Sequence, residues 1–160
     1  MGPATLTVLW YGGASLLDRL IHWFTGSPYS HVAVFFNGVV YEETARGIVA
    51  HAGATAQQRA ATATAHRVVP LGTTGGQTVI DWLSANNHDP YNFVGLITAG
   101  IAALTNLELT ASTNQSYDCS GWTAELLAHL GYVFPKDSRD ISPGDLARYL
   151  APITAGPPAH

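Results

Sequence analysis

Apolar and polar residues along this chain alternate in two different rhythms, and the change of rhythm outlines the fold. Leu6 to Trp10 is a short apolar run of strand type, followed by a Gly12-Gly13 break. Ser15 to Phe24 then carries Leu16, Leu17, Leu20, Ile21 and Phe24 at helical spacing and stops at Gly26-Ser27-Pro28. His31 to Phe36 and Val39 to Thr44 are β-rich and flank Asn37-Gly38, the strongest short-range signal for a two-residue hairpin. A third short strand is expected over Gly47 to His51, after a turn at Ala45-Arg46. Residues 52 to 65 are mostly Ala, Thr and Gln, have little to bury, and read as a linker or surface loop. Ala65 to Leu71 is a further strand. Gly76 to Ala85, with Val79, Trp82 and Leu83, is a helix, and Phe93 to Leu104 reads as a buried helix. A final helix carries Trp122, Leu126, Leu127 and Leu130 and ends at Gly131. Helix, strands, then helices is the order of an α+β fold built on an antiparallel sheet.

At 160 residues the chain has room for a single core without metal or disulfide staples, so one domain over 1–151 is expected, with a fraying Pro- and Ala-rich tail over 152–160. Charged residues make up 11% and the net charge is −4, which leaves no basic patch for nucleic acid. No stretch near the start reads as a secretory signal, which points to a cytoplasmic protein, although a phage-borne or specially delivered one would look the same. Phe93 to Leu109 is interrupted by Thr98, Thr105, Asn106 and Glu108 and falls short of the ~20 residues of a membrane span. A membrane-contacting surface is therefore not favoured.

The chemistry centres on the only cysteine. Cys119 stands in Tyr117-Asp118-Cys119-Ser120-Gly121, where Asp118 is a good N-cap, so the thiol falls in the first turn of the last amphipathic helix. Free backbone N–H groups and the positive end of the helix dipole favour thiolate there, whereas a buried structural cysteine is the plainer alternative. A cysteine nucleophile needs an imidazole and a third group to orient it. His160 lies in the tail, and His129 lies about 15 Å along the cysteine's own helix. His22, His51, His66 and His88 read as solvated or structural. His31 differs because it opens a strongly apolar strand directly after a loop, where a titratable group can face a cleft.

A two-residue Asn37-Gly38 turn pairs Phe36 with Val39, Val34 with Tyr41, Ala33 with Glu42 and His31 with Thr44. His31 and Glu42 then share a face, diagonal to one another, while Glu43 points the other way with Val32 and Val34. Glu42 is thus placed to fix the imidazole's tautomer; a turn longer by one residue would put Glu43 there instead. The plain alternative is a cross-strand polar pair. A metal site is disfavoured, since no two histidines show short ligand spacing and the cysteine has no partner thiol.

Asp118-Cys119-Ser120-Gly121-Trp122, then Leu126-Leu127, Leu130-Gly131-Tyr132 and Phe134-Pro135-Lys136-Asp137-Ser138, resembles the nucleophile helix of the NlpC/P60 superfamily. In ordinary members the histidine follows the cysteine. The order His31, Glu42, Cys119 instead resembles the circularly permuted papain-like branch that contains the YiiX-like and lecithin:retinol acyltransferase-like proteins. Ser30-His31-Val32-Ala33-Val34 and Val40-Tyr41-Glu42 look like its histidine strand and acidic strand, and Phe24 to Tyr29 and Ile141 to Leu146 fit the same pattern. Residues 52 to 88 match nothing in it.

The resemblance implies a cysteine hydrolase working through a thioester, with Cys119 as nucleophile, His31 as general base and Glu42 as orienting acid. It implies no metal or organic cofactor. Tyr91, in Asp89-Pro90-Tyr91-Asn92-Phe93, is similar to a tyrosine these proteins place near the nucleophile and would assist the oxyanion; it would equally serve as a core aromatic. The Cys119 backbone N–H is the other oxyanion donor. The cysteine motif departs from the Asn-Cys-Glu of the acyltransferase-like subgroup, which moves weight from lipid acyl transfer toward amide hydrolysis. The expected substrate is a peptide such as a cell-wall crosslink, another amide, or an acyl lipid. A membrane-acting thiol acyltransferase or lipase and a noncatalytic binding module with the same fold are the rival readings.

Overall fold

Thr5–Tyr11 (β1), His31–Phe36 (β2), Val39–Thr44 (β3), Gly47–Ala52 (β4) and Ala65–Pro70 (β5) form one antiparallel sheet, ordered β4-β3-β2-β1-β5. Gly53–Thr62 (α1), Gly75–Ala85 (α2), Cys119–His129 (α3) and Pro143–Leu150 (α4) are helices, with a 3-10 turn at Ser138–Asp140. This computed structural model describes residues 5–13, 19, 22–23, 26–44, 47–86 and 119–152. Of the helix expected over Ser15 to Phe24, the described residues 19, 22 and 23 are helical. Asp118, Tyr91, the helix expected over Phe93 to Leu104 and the tail from residue 153 lie outside the described residues.

Strand periodicity assigns the two faces of the sheet. Leu6, Val8, Trp10, Val32, Val34 and Phe36 turn toward α2, α3 and α4 and build the main core with Trp82, Trp122, Leu126, Leu127, Leu146 and Leu150. The intervening residues Leu9, Ala33 and Val40 turn to the opposite face and pack on Ala56 of α1. Val32, Ala33 and Val34 are therefore fully buried in succession, which is why β2 reads as a continuous apolar run rather than an alternating one. The α+β class and the antiparallel sheet packed against helices agree with the sequence pattern.

The hairpin has the expected register. Ala33 pairs with Glu42, Val34 with Tyr41 and Phe36 with Val39. Asn37 and Gly38 both carry positive φ, 49° and 79°, as a two-residue primed turn requires. α3 ends where expected: Gly131, at φ 89°, donates to the Ala128 carbonyl, and Tyr132 N–H donates to the Leu127 carbonyl, the paired bonds of a Schellman cap.

Residues 52 to 65 depart from expectation. They are not a loop: β4 runs to Ala52 and α1 occupies residues 53–62. Alanine has the best helix propensity, and α1 is GATAQQRAAT. Its side chains are small, and one of them, Ala56, is fully buried, so a hydrophobic stripe of the usual width is missing and the periodicity is faint. No N-cap side-chain bond and no acidic residue in the first turn support it. Tertiary contacts hold it instead.

Packing also fixes the loop that leads into β2. Trp10 Nε1–H donates to the Pro143 carbonyl at 3.0 Å, and Ser30 N–H donates to the Tyr11 carbonyl at 2.9 Å. α4 is started by Ser142, whose side chain forms a capping box with Asp145 and is followed by Pro143 at the first helical position. Gly144, in the first turn, faces Ser27: a Cβ there would stand 2.6 Å from Ser27 Cβ and 2.7 Å from its Oγ, which accepts from Tyr29 N–H. Gly144→Ala is expected to lower stability by about 1–3 kcal/mol in urea unfolding. Gly72→Ala, where a Cβ meets nothing within 4 Å, stays within about 0.5 kcal/mol of wild type in the same assay.

Candidate active site

Glu42 is the centre of the site. It sits on β3 with 5% of its side chain exposed, and its two oxygens take three donors. His31 Nε2 on β2 lies 3.0 Å from Oε2. His51 Nε2 on β4 lies 2.6 Å from Oε1, and Arg59 Nη2 on α1 lies 2.8 Å from the same oxygen. An ionised carboxylate only accepts, so both imidazoles present Nε2–H to it. Burial is the largest influence on Glu42 and pushes its pKa up; the hydrogen bonds from His31 and His51 and the charges of His31 and Arg59 outweigh it and hold the carboxyl below its ordinary value.

His31 is brought to Glu42 by strand register and to Cys119 by helix packing. α3 lies against β2 and β3, and Cys119, buried and free of any disulfide, is its first residue. The Cys119 sulfur lies near enough to His31 to act on the charge of its ring. Because Nε2 faces Glu42, Nδ1 is the ring nitrogen left for sulfur. Burial is again the largest influence and lowers the imidazole's pKa, but Cys119 and then Glu42 raise it, to about 10. Tyr11 flanks the ring with centroids 5.9 Å apart and donates from its hydroxyl to the Arg59 carbonyl at 3.1 Å. Burial and the neighbouring Glu42 charge push the Tyr11 phenol up to about 12, with Arg59 acting the other way.

The three residues singled out from the sequence thus meet from three elements, and Glu42, not Glu43, faces His31. Glu43 pairs with Ile48 and is buried toward the main core, as the two-residue turn dictates. Two members of the cluster were missed. His51 was legible in principle: continuing the register through the Ala45-Arg46 turn gives Thr44–Gly47, Glu42–Val49 and Val40–His51, which sets His51 on the face of Glu42 and diagonal to it. Arg59 had no such signal, since α1 itself was not visible. Among the described residues no group of three or more His, Cys, Asp or Glu could hold a metal ion. A cavity of about 240 Å³ lined by Tyr41, Ile48, Ala50, Ile80, Leu83 and Ser84 lies away from Glu42, on the face of Tyr41.

Sheet and site together define an α+β protein in which a helix-borne cysteine, an imidazole and a buried carboxylate adjoin. No known protein-family model matches the chain, and no curated protein matches it. No helix among the described residues is long and apolar enough to cross a membrane.

The shifts define a pH window for the His31–Glu42 pair. A carboxylate held below its ordinary 4.5 contributes stability above that value and loses it as pH falls through its folded pKa. An imidazole raised from 6.5 to about 10 contributes fully below 6.5 and loses its contribution as pH rises through about 10. The coupling energy in a His31→Ala, Glu42→Gln double-mutant cycle is expected to peak between those two ordinary values and to decline on either side, read by urea unfolding across pH.

Proposed function

We propose that the protein is a cysteine hydrolase cleaving an amide bond, a peptidase or amidase, with Cys119 as nucleophile, His31 as proton carrier and Glu42 as the group that orients His31. The fold is read as the circularly permuted papain-like arrangement that the order His31, Glu42, Cys119 resembles. The observation that carries the reading is that one imidazole, His31 on β2, bonds Glu42 on β3 at 3.0 Å and has its charge supported by Cys119 at the head of α3, which packs on β2.

In this mechanism the sulfur attacks the carbonyl carbon while its proton resides on His31 Nδ1. The S–C bond forms, the carbonyl π pair moves to oxygen, and backbone N–H groups at the head of α3 receive the oxyanion. Collapse expels the amine, which leaves with the proton from His31, and a thioester remains. Water then gives a proton to His31 and attacks the thioester; the carboxylic acid departs and the sulfur is released.

The balance of influences on His31 suits both halves. Cys119 is the strongest of the groups that raise its proton affinity, and burial works against them. Once the sulfur is acylated that support is gone and burial is less opposed, so the ring more readily gives up its proton to the amine and then serves as a neutral base toward water. Glu42 keeps the ring in one orientation through both steps.

Cell-wall peptide fragments and simple amide and ester reporters are the first substrates to test. Cys119→Ser and His31→Ala are expected to abolish turnover while the chain still folds, and Glu42→Ala to reduce turnover by about 10²-fold. Iodoacetamide alkylation of Cys119, followed against pH, gives a substrate-free reading: the rate persists to lower pH in wild type than in His31→Ala. Wild-type turnover in Cys119→Ser, or one pH profile for both proteins, overturns the assignment. Capping Cys119 as a mixed disulfide with a methyl group is further expected to lower the His31 pKa from about 10, measured by NMR of the ring.

A further inference from the structure

We propose that His51 and Arg59 are positioning residues that act through Glu42, clamping one carboxylate oxygen so that the other is held against His31. The assignment rests on the reading of Cys119 and His31 as a catalytic pair. It is carried by how the donors are divided: Oε2 serves His31 alone among the described residues, at 3.0 Å, while Oε1 takes both His51, at 2.6 Å, and Arg59, at 2.8 Å.

A glutamate side chain has three rotatable bonds, and one hydrogen bond to an imidazole does not fix all of them. Two donors from different elements, converging on the second oxygen, do. β4 supplies one through strand pairing, with Val40 opposite His51. α1 supplies the other, and the helix is anchored at that very residue: the Tyr11 hydroxyl donates to the Arg59 carbonyl at 3.1 Å while the Arg59 side chain reaches Glu42. Main chain and side chain of Arg59 are thus held by neighbours of His31. A short helix without an N-cap side-chain bond, whose sole fully buried residue is Ala56, is accounted for as the mount for this guanidinium.

Among the described residues, the charged and titratable groups around Glu42 and His31 are Tyr11 from β1, His51 from β4, Arg59 from α1 and Cys119 from α3. Loss of the Arg59 cation has two opposite consequences for His31. A purely through-space effect would raise the affinity of His31 for its proton, because a nearby positive charge is removed. Release of Glu42 would lower it, because the hydrogen bond that His31 donates to Oε2 is then made only part of the time. The sign distinguishes the two.

The test is a set of cycles on the full chain: His51→Leu, His51→Gln, Arg59→Met and Arg59→Lys, each in the wild-type and Glu42→Gln backgrounds. The His31 pKa by NMR and the pH profile of Cys119 alkylation by iodoacetamide are read for each, with circular dichroism to confirm folding. Arg59→Met and His51→Leu are expected to lower the His31 pKa by about one unit, about tenfold in proton affinity, with His51→Gln and Arg59→Lys recovering part of the shift. In the Glu42→Gln background the same substitutions are expected to change nothing further. A rise of the His31 pKa in Arg59→Met, no shift in either apolar variant, or an undiminished shift in the Glu42→Gln background overturns the proposal. An alkylation profile that His31→Ala leaves unchanged removes the catalytic reading instead, while the NMR cycle still decides whether Glu42 is clamped.

Discussion

A carboxylate almost wholly removed from water, Glu42, is the constraint around which the described part of this protein is arranged. Burying an ionised group without partners is costly enough that proteins avoid it, so its presence dictates what surrounds it. Here three donors from β2, β4 and α1 converge on two oxygens. The demand for donors explains why polar side chains interrupt the inner faces of otherwise apolar strands, and why α1 folds back across the sheet. Glu42 adds to the larger influence of Cys119 in making His31 strongly basic, so an electrostatic requirement of folding and the chemistry proposed for the site share the same imidazole.

The sheet separates two tasks by its faces. The face toward α2, α3 and α4 carries the large apolar side chains and supplies the main core, including the edge-to-face pair of Trp82 and Trp122 with centroids 5.0 Å apart. The other face carries Leu9, Ala33 and Val40, which pack on Ala56 of α1, and from that helix Arg59 reaches Glu42. His31 is placed where these faces can be joined: it opens β2, at the end of the sheet, so it can bond Glu42 on one side and meet Cys119 from α3 on the other. A histidine in the middle of β2 would be confined to one face. The loop before it is correspondingly fixed, by the Ser30–Tyr11 backbone bond and by Gly144 seated on Ser27.

By itself the sequence determined the strands, the hairpin register and the close of α3, because each rests on short-range rules: alternation, the steric demand of Asn37-Gly38, and Gly131 as the left-handed residue that closes the helix. Those rules also told Glu42 from Glu43, since a side chain's face follows from counting residues out from the turn. Extending the count one strand further would have reached His51. Arg59 was beyond that arithmetic, because an alanine-rich segment with one fully buried residue shows little periodicity and its helix is stabilised by partners distant in sequence. The meeting of Cys119 with His31 was likewise decided by tertiary structure, as nothing local joins residues 31 and 119. The sequence set which face each side chain takes; the packing of α1 and α3 on opposite faces of the sheet decided which of those side chains meet, because contacts across that distance form only when the separate elements bury their apolar surfaces together.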